Sequence, residues 1–196
     1  MQHEKNIAGL KQQLQALGFG DGMENCLRSN ICFQQEYFNL SYRLVKDGDV
    51  INFRIHLEQR DKGHYNCNYY DAVLRKDIII AAGDTTIAAI ESKMAAIKWD
   101  YINENVERVE AVSNDLQALS ATEEGKKTAD LLRYKYWADT PVENLIQGIG
   151  SFNSQFEISQ RFYISEGQGI TTEEAYRFLC NKWMEKKVQA KRKKTQ

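Results

Sequence analysis

The sequence predicts an α+β fold, in which an antiparallel sheet of about four strands packs against N- and C-terminal helices and carries an inserted helical block. Three runs alternate apolar and polar residues with a period of two, which is typical of strands with one buried face. Other segments place apolar residues three and four positions apart, as amphipathic helices do. An Asp-Gly turn joins two of the alternating runs, which favours an antiparallel hairpin.

The first half of the chain predicts one helix followed by three strands. An apolar stripe at helical spacing indicates the helix, and its members are Ile7, Leu10, Leu14 and Leu17. Gly18 is expected to end this helix in a left-handed conformation, with Phe19 folding back on the stripe. The runs 37–45 and 50–58 flank the Asp-Gly turn and predict a hairpin, and the tyrosine-rich run 65–75 predicts the third strand.

The second half predicts a block of helices and then a return to strand and helix. Residues 84–150 indicate three or four helices, of which Asp84 caps the first and Thr122 caps a later one that runs through Trp137. The segment 140–143 has the pattern of a capping box with proline at the first helical position, so it predicts another helix start. The alternating run 156–164 predicts the fourth strand. A second capping box, Thr171–Glu174, predicts a final helix that runs into the C-terminal tail.

Length and composition favour one domain in a reducing compartment. The chain has 196 residues, of which 42% are hydrophobic and 27% charged, and this suits a single domain over residues 1–196. No run approaches the roughly 18 to 20 apolar residues of a membrane span, and no secretory signal is visible. The four cysteines form no C-x-x-C pair and predict buried thiols. We therefore expect a cytoplasmic protein without a membrane partner.

The net charge of −1 is unevenly distributed. Residues 182–196 contain seven Lys or Arg against one acid, Glu185, so this segment carries +6 and the rest of the chain −7. A basic segment can contact phosphates, and each contact releases counterions. The same pattern is typical of a solvated helix end, where lysines complement the negative pole of the helix dipole. The tail 186–196 is expected to be flexible.

Two blocks that together cover roughly half of the chain form recognisable motifs. One is the turn Leu17-Gly18-Phe19-Gly20 followed by the paired strands and Tyr69-Tyr70-Asp71-Ala72-Val73-Leu74, and the other is the strand-turn-helix segment 162–179. In this form they resemble a family of uncharacterised Bacteroidetes proteins, many of which are associated with conjugative or other mobile elements. Here a helical block of about residues 77–155 separates the two blocks. The resemblance implies that the last strand joins the first sheet, and it implies no activity.

Aromatic and basic side chains form the candidate binding residues. The segment 131–137 interleaves Arg133 and Lys135 with aromatic rings, a composition that can stack nucleobases or anchor a protein partner. Core packing is the commoner role of such rings. The residues predicted to contact nucleic acid are Arg133, Lys135, Trp137, Lys186, Lys187, Lys191, Arg192, Lys193 and Lys194.

Residues that could bind a metal or act in catalysis are also explained by ordinary surface and core positions. His56, His64 and Cys67 are clustered in sequence, but three candidates at this spacing match no zinc site. Tyr65 and Tyr69 are expected to share one strand face with Cys67. We therefore predict no catalytic residue, no metal and no cofactor.

The predicted function is that of a non-enzymatic binding or adaptor protein whose partner is nucleic acid or another protein. The first hypothesis is an accessory protein that contacts nucleic acid through the basic tail. One alternative is a module that self-associates through the apolar stripe of the helical block, between Ile87 and Leu119. A second alternative is an enzyme of a type that the sequence does not reveal.

Overall fold

The computed structural model describes residues 2–61, 64–80, 84–165 and 167–194. The chain divides into two compact units, which we call the sheet unit (Met1–Lys76 with Glu157–Gln196) and the helical unit (Asp77–Phe156). The predicted α+β class is confirmed, because a five-stranded antiparallel sheet is flanked by helices. None of the described helices is both long and apolar enough to cross a membrane.

The described residues form seven α-helices and five strands. In chain order they are α1 Gln2–Ala16, α2 Glu24–Cys32, β1 Tyr37–Lys46, β2 Asp49–Asp61, β3 His64–Arg75, α3 Thr85–Ala95, α4 Val106–Leu119, α5 Glu123–Trp137, α6 Ile149–Phe156, β4 Glu157–Ser165, β5 Gln168–Gly169 and α7 Thr172–Lys194. Short 3₁₀ helices cover Asp21–Met23, Trp99–Glu104 and Glu143–Leu145. The helical unit is therefore inserted between β3 and β4.

The sheet has the strand order β1-β2-β3-β4-β5, with every neighbouring pair antiparallel. The predicted hairpin joins β1 to β2, and Lys46 pairs with Asp49 across the turn. Asp47 and Gly48 both have positive φ, 53° and 84°, which defines a type I′ turn whose twist matches that of the strands. The four predicted strands are present, and the two-residue β5 extends the sheet beyond β4.

One face of the sheet is buried under α1, α2 and α7. The inward residues of the four long strands join one core with the predicted α1 stripe, and they include Phe38, Leu40, Ile51, Phe53, Ile55, Leu57, Tyr70, Ala72, Leu74, Phe162 and Ile164. Ala175 and Leu179 of α7 complete this core. The N- and C-terminal helices therefore cover the same sheet face, as the sequence predicts.

Gly18 ends α1 in the way that the sequence predicts. The φ of Gly18 is +86°. The N–H of Gly18 donates to the Gln15 carbonyl at 2.9 Å, and the N–H of Phe19 donates to the Leu14 carbonyl at 3.0 Å. These two bonds define a Schellman motif. A Cβ at Gly18 would lie 2.5 Å from Oγ1 of Thr172, so only glycine allows the start of α7 to approach this closely.

Replacing Gly18 by alanine is expected to destabilise the protein by about 1–3 kcal/mol, because alanine is strained at positive φ and would collide with Thr172. Gly9 offers a matched control, since it lies inside α1 with no atom within 4 Å of an added Cβ. Gly9→Ala is expected to stabilise by about 0.5–1 kcal/mol. Urea unfolding measures the stability of both variants. Equal effects of the two substitutions would contradict the requirement for glycine at position 18.

A β-bulge in β3 changes which residues face the core. Leu57 pairs with Cys67 and the preceding His56 pairs with Tyr69, so Asn68 is an extra residue in β3. Tyr65 and Cys67 are buried, whereas Tyr69 lies on the opposite face. The prediction that Tyr65 and Tyr69 share a face is wrong, because the bulge shifts the two-residue alternation by one position.

The helical unit has a core of its own. Its members include Ile90, Met94, Ile97, Trp99, Val112, Leu116, Leu132, Tyr134 and Trp137. The predicted caps are confirmed, because the Asp84 side chain accepts from the N–H of Thr86 and Thr122 accepts from Gly125. The stripe between Ile87 and Leu119 is divided among α3, a 3₁₀ helix and α4. Most of its apolar side chains pack inside the unit. Self-association through this stripe stays a prediction.

Two local predictions are corrected by the structure. The capping box at 140–143 leads only to the 3₁₀ helix Glu143–Leu145, because the Glu143 side chain accepts from the N–H of Asp139, which has positive φ. The next α-helix starts at Ile149. Cys26 and Cys32 are exposed rather than buried, since Leu27 and Ile31 occupy the inner face of α2.

Candidate functional site

The sheet face opposite the helices, which we call the outer face, combines aromatic and cationic side chains. It consists of the residues that alternate with the core positions: Tyr37, Asn39, Ser41, Arg43, Val45, Asn52, Arg54, His56, Glu58, Tyr69, Asp71, Val73, Ser159, Arg161 and Tyr163. All of these side chains are exposed or half-buried. Three tyrosines, three arginines and a histidine thus share one side of four adjacent strands.

Strand register arranges these side chains in rows across the sheet. One row is Asn39, His56, Tyr69 and Tyr163, from β1 to β4. The next row is Ser41, Arg54, Asp71 and Arg161. Because neighbouring strands lie about 4.8 Å apart, side chains on neighbouring strands of a row are close enough to interact.

Asp71 is the centre of a hydrogen-bonded network on the outer face. Arg161 binds it in a bidentate manner, with Nε 2.7 Å from Oδ1 and Nη2 3.0 Å from Oδ2. Nε2 of His56 lies 2.8 Å from the same Oδ2. The hydrogen bond from Arg161, followed by that from His56, lowers the pKa of Asp71 below its ordinary value. The carboxylate is therefore hydrogen-bonded to two neighbouring side chains and orients both of them.

Tyr69 is covered by members of the same network. The His56 ring lies 4.4 Å from its centroid, and the Arg161 guanidinium lies 4.1 Å from it. Tyr163, at a centroid distance of 6.1 Å, remains 72% exposed. Tyr69 therefore supports the network, while Tyr163 presents a ring to solvent.

Further groups on the outer face have no side-chain partner among the described residues. Arg43 and Arg54 are exposed and make no ion pair with any residue that the structure describes. Tyr37 is 73% exposed at the start of β1. Free guanidinium groups bind phosphates, and free rings stack on flat apolar groups such as bases.

The Asp71 network makes stability depend on pH. Because the pKa of Asp71 is lowered in the folded state, its contribution is present above the ordinary aspartate value of about 4 and is lost as the pH falls through the lower folded value. Asp71→Asn is expected to cost at most about 1 kcal/mol at neutral pH, since water screens this partly exposed group. The difference in the free energy of unfolding between Asp71→Asn and the native protein should shrink in acid, as measured by urea unfolding from pH 7 to pH 3. A difference that is constant over this range would contradict the assignment.

The basic tail forms the last turns of α7, which continues to Lys194. Lys186 donates to the Glu157 carbonyl at 3.0 Å, and the Lys187 ammonium lies 4.6 Å from the Trp183 ring centroid. The side chains of Lys191, Arg192 and Lys193 are exposed, and that of Lys194 lies outside the described residues. The flexibility expected of the tail stays a prediction.

The three candidates in α5 belong to the helical unit, and the tail belongs to the sheet unit. Arg133 binds Asp130 at 2.7 Å, and Lys135 binds Glu91 at 2.9 Å and the Ile78 carbonyl at 2.8 Å. Trp137 is 7% exposed and packs against Trp99. These contacts stabilise the core of the helical unit. The Trp137 ring is therefore largely covered inside the helical unit, and its contact with nucleic acid stays a prediction.

The structure separates the residues that clustered in sequence as candidate metal ligands. His56 lies on the outer face and Cys67 on the buried face. Across the described ranges, no group of three His, Cys, Asp or Glu side chains is placed to hold a metal ion. Burial raises the pKa of Cys67 to about 12, so its thiol stays protonated at neutral pH and is a poor nucleophile.

A cleft of about 300 Å³ lies between α1 and the start of β3. The amide of Asn6 lines it and is bonded to the backbone of Tyr65, donating to the carbonyl at 3.0 Å and accepting from the N–H at 2.9 Å. Asn6 thus occupies the edge of β3 that β4 does not reach. Its polar atoms serve the fold and are not available to a substrate.

Comparison with family models, curated proteins and solved structures gave no match to this chain. The resemblance to Bacteroidetes proteins of mobile elements therefore stays a prediction. The fold and site define an α+β protein whose sheet is covered by helices on one face and carries aromatic and basic side chains on the other.

Proposed function

We propose that the sheet unit is a non-enzymatic binding module for single-stranded nucleic acid, and that the outer face is its binding surface. The observation that supports the proposal most strongly is that exposed Tyr163 shares one sheet face with Arg43 and Arg54, which form no ion pair with any described residue. Rings that stack on bases, beside cations that contact phosphates, are the shared features of sheet surfaces that bind single strands.

The Asp71 network prepares this surface for a ligand. Arg161 is held against Asp71 and Tyr69, so its guanidinium is ordered before any ligand binds. Its side chain is still 45% exposed, so a phosphate or a base can reach it. Ordering a cation in advance reduces the conformational entropy that binding costs.

Net charge supports the same assignment. The sheet unit contains 19 Lys or Arg and 14 Asp or Glu, a net charge of +5, whereas the helical unit has 7 against 13, a net charge of −6. A polyanion is attracted to the sheet unit and repelled by the helical unit. The basic end of α7 adds phosphate contacts to the sheet unit without adding a stacking surface.

A single strand suits this surface better than a duplex does. Stacking on Tyr163 requires an unpaired base, because the faces of paired bases are covered by their neighbours in the helix. The outer face is also four strands wide, whereas the major groove of DNA admits an α-helix or a ribbon of two strands. We therefore expect weak sequence preference and strong salt dependence.

Fluorescence anisotropy tests the proposal with a labelled single-stranded oligonucleotide and its duplex, from low to physiological salt. We expect tighter binding of the single strand, weakening as salt increases. A variant with glutamine at Lys187, Lys191, Arg192 and Lys193 is expected to keep the preference for single strands with a shallower salt dependence. Loss of all binding in this variant would assign the function to the tail alone, and preference for duplex would overturn the proposal.

A further inference from the structure

The two edges of the sheet differ in how their backbone groups are covered. At the β4 edge, Lys182 donates to the Ser159 carbonyl at 2.9 Å and Lys186 donates to the Glu157 carbonyl at 3.0 Å. The far end of β4 pairs with β5. Ammonium groups and a short strand therefore prevent another chain from pairing along β4.

The β1 edge carries no such cover among the described residues. The Gln59 N–H donates to the Glu36 carbonyl at 2.8 Å, so even-numbered residues of β1 bond to β2 and odd-numbered residues point their N–H and C=O groups outward. The outward groups belong to Tyr37, Asn39, Ser41, Arg43 and Val45. None of these five residues has a backbone partner among the residues that the structure describes. A row of unpaired groups this long is a template for another strand.

We propose that two copies of this chain pair through β1, antiparallel and symmetric about Ser41. In this register Arg43 lies opposite Asn39 of the second copy, and Ser41 lies opposite its own equivalent. All five outward-pointing residues find a partner, which gives a continuous sheet across the two copies. The interface is isologous, so each contact occurs twice.

Side-chain chemistry selects this register over its neighbours. Symmetry about Asn39 leaves Arg43 and Val45 unpaired, and symmetry about Arg43 places two guanidinium groups directly opposite each other, which is destabilising. Symmetry about Ser41 places no like charges opposite each other. It also brings Tyr37 against Val45 of the second copy, and these are the two most exposed apolar side chains of β1.

The buried face of β1 is consistent with the same pairing. Tyr42 and Leu44 pack against the core but are only partly buried. Symmetry about Ser41 places them opposite Leu40 and Phe38 of the second copy, where apolar surface would be removed from water. Lys46 is paired with Glu173 at 2.6 Å, which leaves Arg43 as the cation of β1 that faces the junction.

Opposite substitutions at Asn39 test the proposal by sedimentation of the full chain without nucleic acid. Asn39→Arg places two arginines against the Arg43 side chains and is expected to weaken dimerisation by about 2- to 30-fold. Asn39→Glu creates two ion pairs and is expected to strengthen it by a similar factor. Asn103→Arg, an equal charge change on an exposed residue of the helical unit, is expected to leave the dimer unchanged.

Circular dichroism confirms that each variant is folded before it is sedimented. A native protein that stays monomeric at high concentration would overturn the proposal. The same conclusion follows if the two Asn39 variants shift dimerisation in the same direction, or if neither differs from Asn103→Arg. Failure of nucleic-acid binding has no bearing on this result, because the dimer depends on backbone pairing along β1 and is sedimented without nucleic acid.

Discussion

Replacing Tyr163 by alanine is expected to weaken binding of a single-stranded oligonucleotide by about 5- to 150-fold, because stacking of a base on an aromatic ring contributes about 1–3 kcal/mol. Tyr163 is the most exposed ring of the row that contains His56 and Tyr69. The alanine removes the stacking surface and leaves the Arg161–Asp71 ion pair in place. The loss is therefore expected to be similar at low and at physiological salt.

Fluorescence anisotropy measures this loss against two comparison variants. Tyr101→Ala removes a tyrosine of the helical unit that is 61% exposed, compared with 72% for Tyr163, and is expected to leave affinity unchanged. Arg54→Ala removes a cation from the outer face. It is expected to reduce the slope of log affinity against log salt concentration by about 1, the value of one phosphate contact. Equal losses for Tyr163→Ala and Tyr101→Ala would contradict the assignment of stacking to the outer face.

Replacing Tyr70 by alanine is expected to destabilise the protein by about 3–5 kcal/mol, the range for removing a buried aromatic ring. Tyr70 is fully buried, and its ring lies 5.2 Å from that of Phe19 and 5.3 Å from that of Phe162. Its hydroxyl donates to the Ile170 carbonyl at 2.6 Å, which joins β3 to the segment before α7. Burial raises the pKa of Tyr70, so the hydroxyl remains a donor at neutral pH.

Urea unfolding of three variants separates the ring from the hydroxyl. Tyr70→Phe keeps the ring and is expected to cost about 1 kcal/mol, the net value of one hydrogen bond. Phe33→Ala removes an aromatic ring that is 79% exposed in the same unit, and such surface changes are expected to stay within about 0.5 kcal/mol. A loss for Tyr70→Ala no larger than that for Phe33→Ala would contradict the description of the core.

Local signals in the sequence predicted the local structure well. The Asp-Gly turn, the Gly18 helix end and the caps at Asp84 and Thr122 each depend on residues close together in the chain. The same holds for the capping box at Thr171, whose backbone N–H and hydroxyl both donate to Glu174 at 2.8 Å. These features are set by backbone sterics and by hydrogen bonds within a few residues.

The candidate site could not be predicted because it depends on strand register. Arg161 reaches Asp71 across 90 residues of sequence, and only the pairing of β3 with β4 brings them together. The bulge at Asn68 has no clear signal in the sequence, yet it decides that Tyr69 joins the outer face. The residues of the candidate site lie on the polar sides of the alternating runs in the sequence. Composition alone instead favoured the basic tail and α5 as the nucleic-acid contacts.

The most direct test of the nucleic-acid interface is a titration of the isotope-labelled protein with a single-stranded oligonucleotide of about ten nucleotides, followed by backbone amide NMR shifts. We predict that the largest shifts fall on the central rows of the outer face, around Arg54, Asp71 and Tyr163, with smaller ones at the end of α7. Shifts confined to α7 or to the helical unit would contradict a binding surface on the sheet.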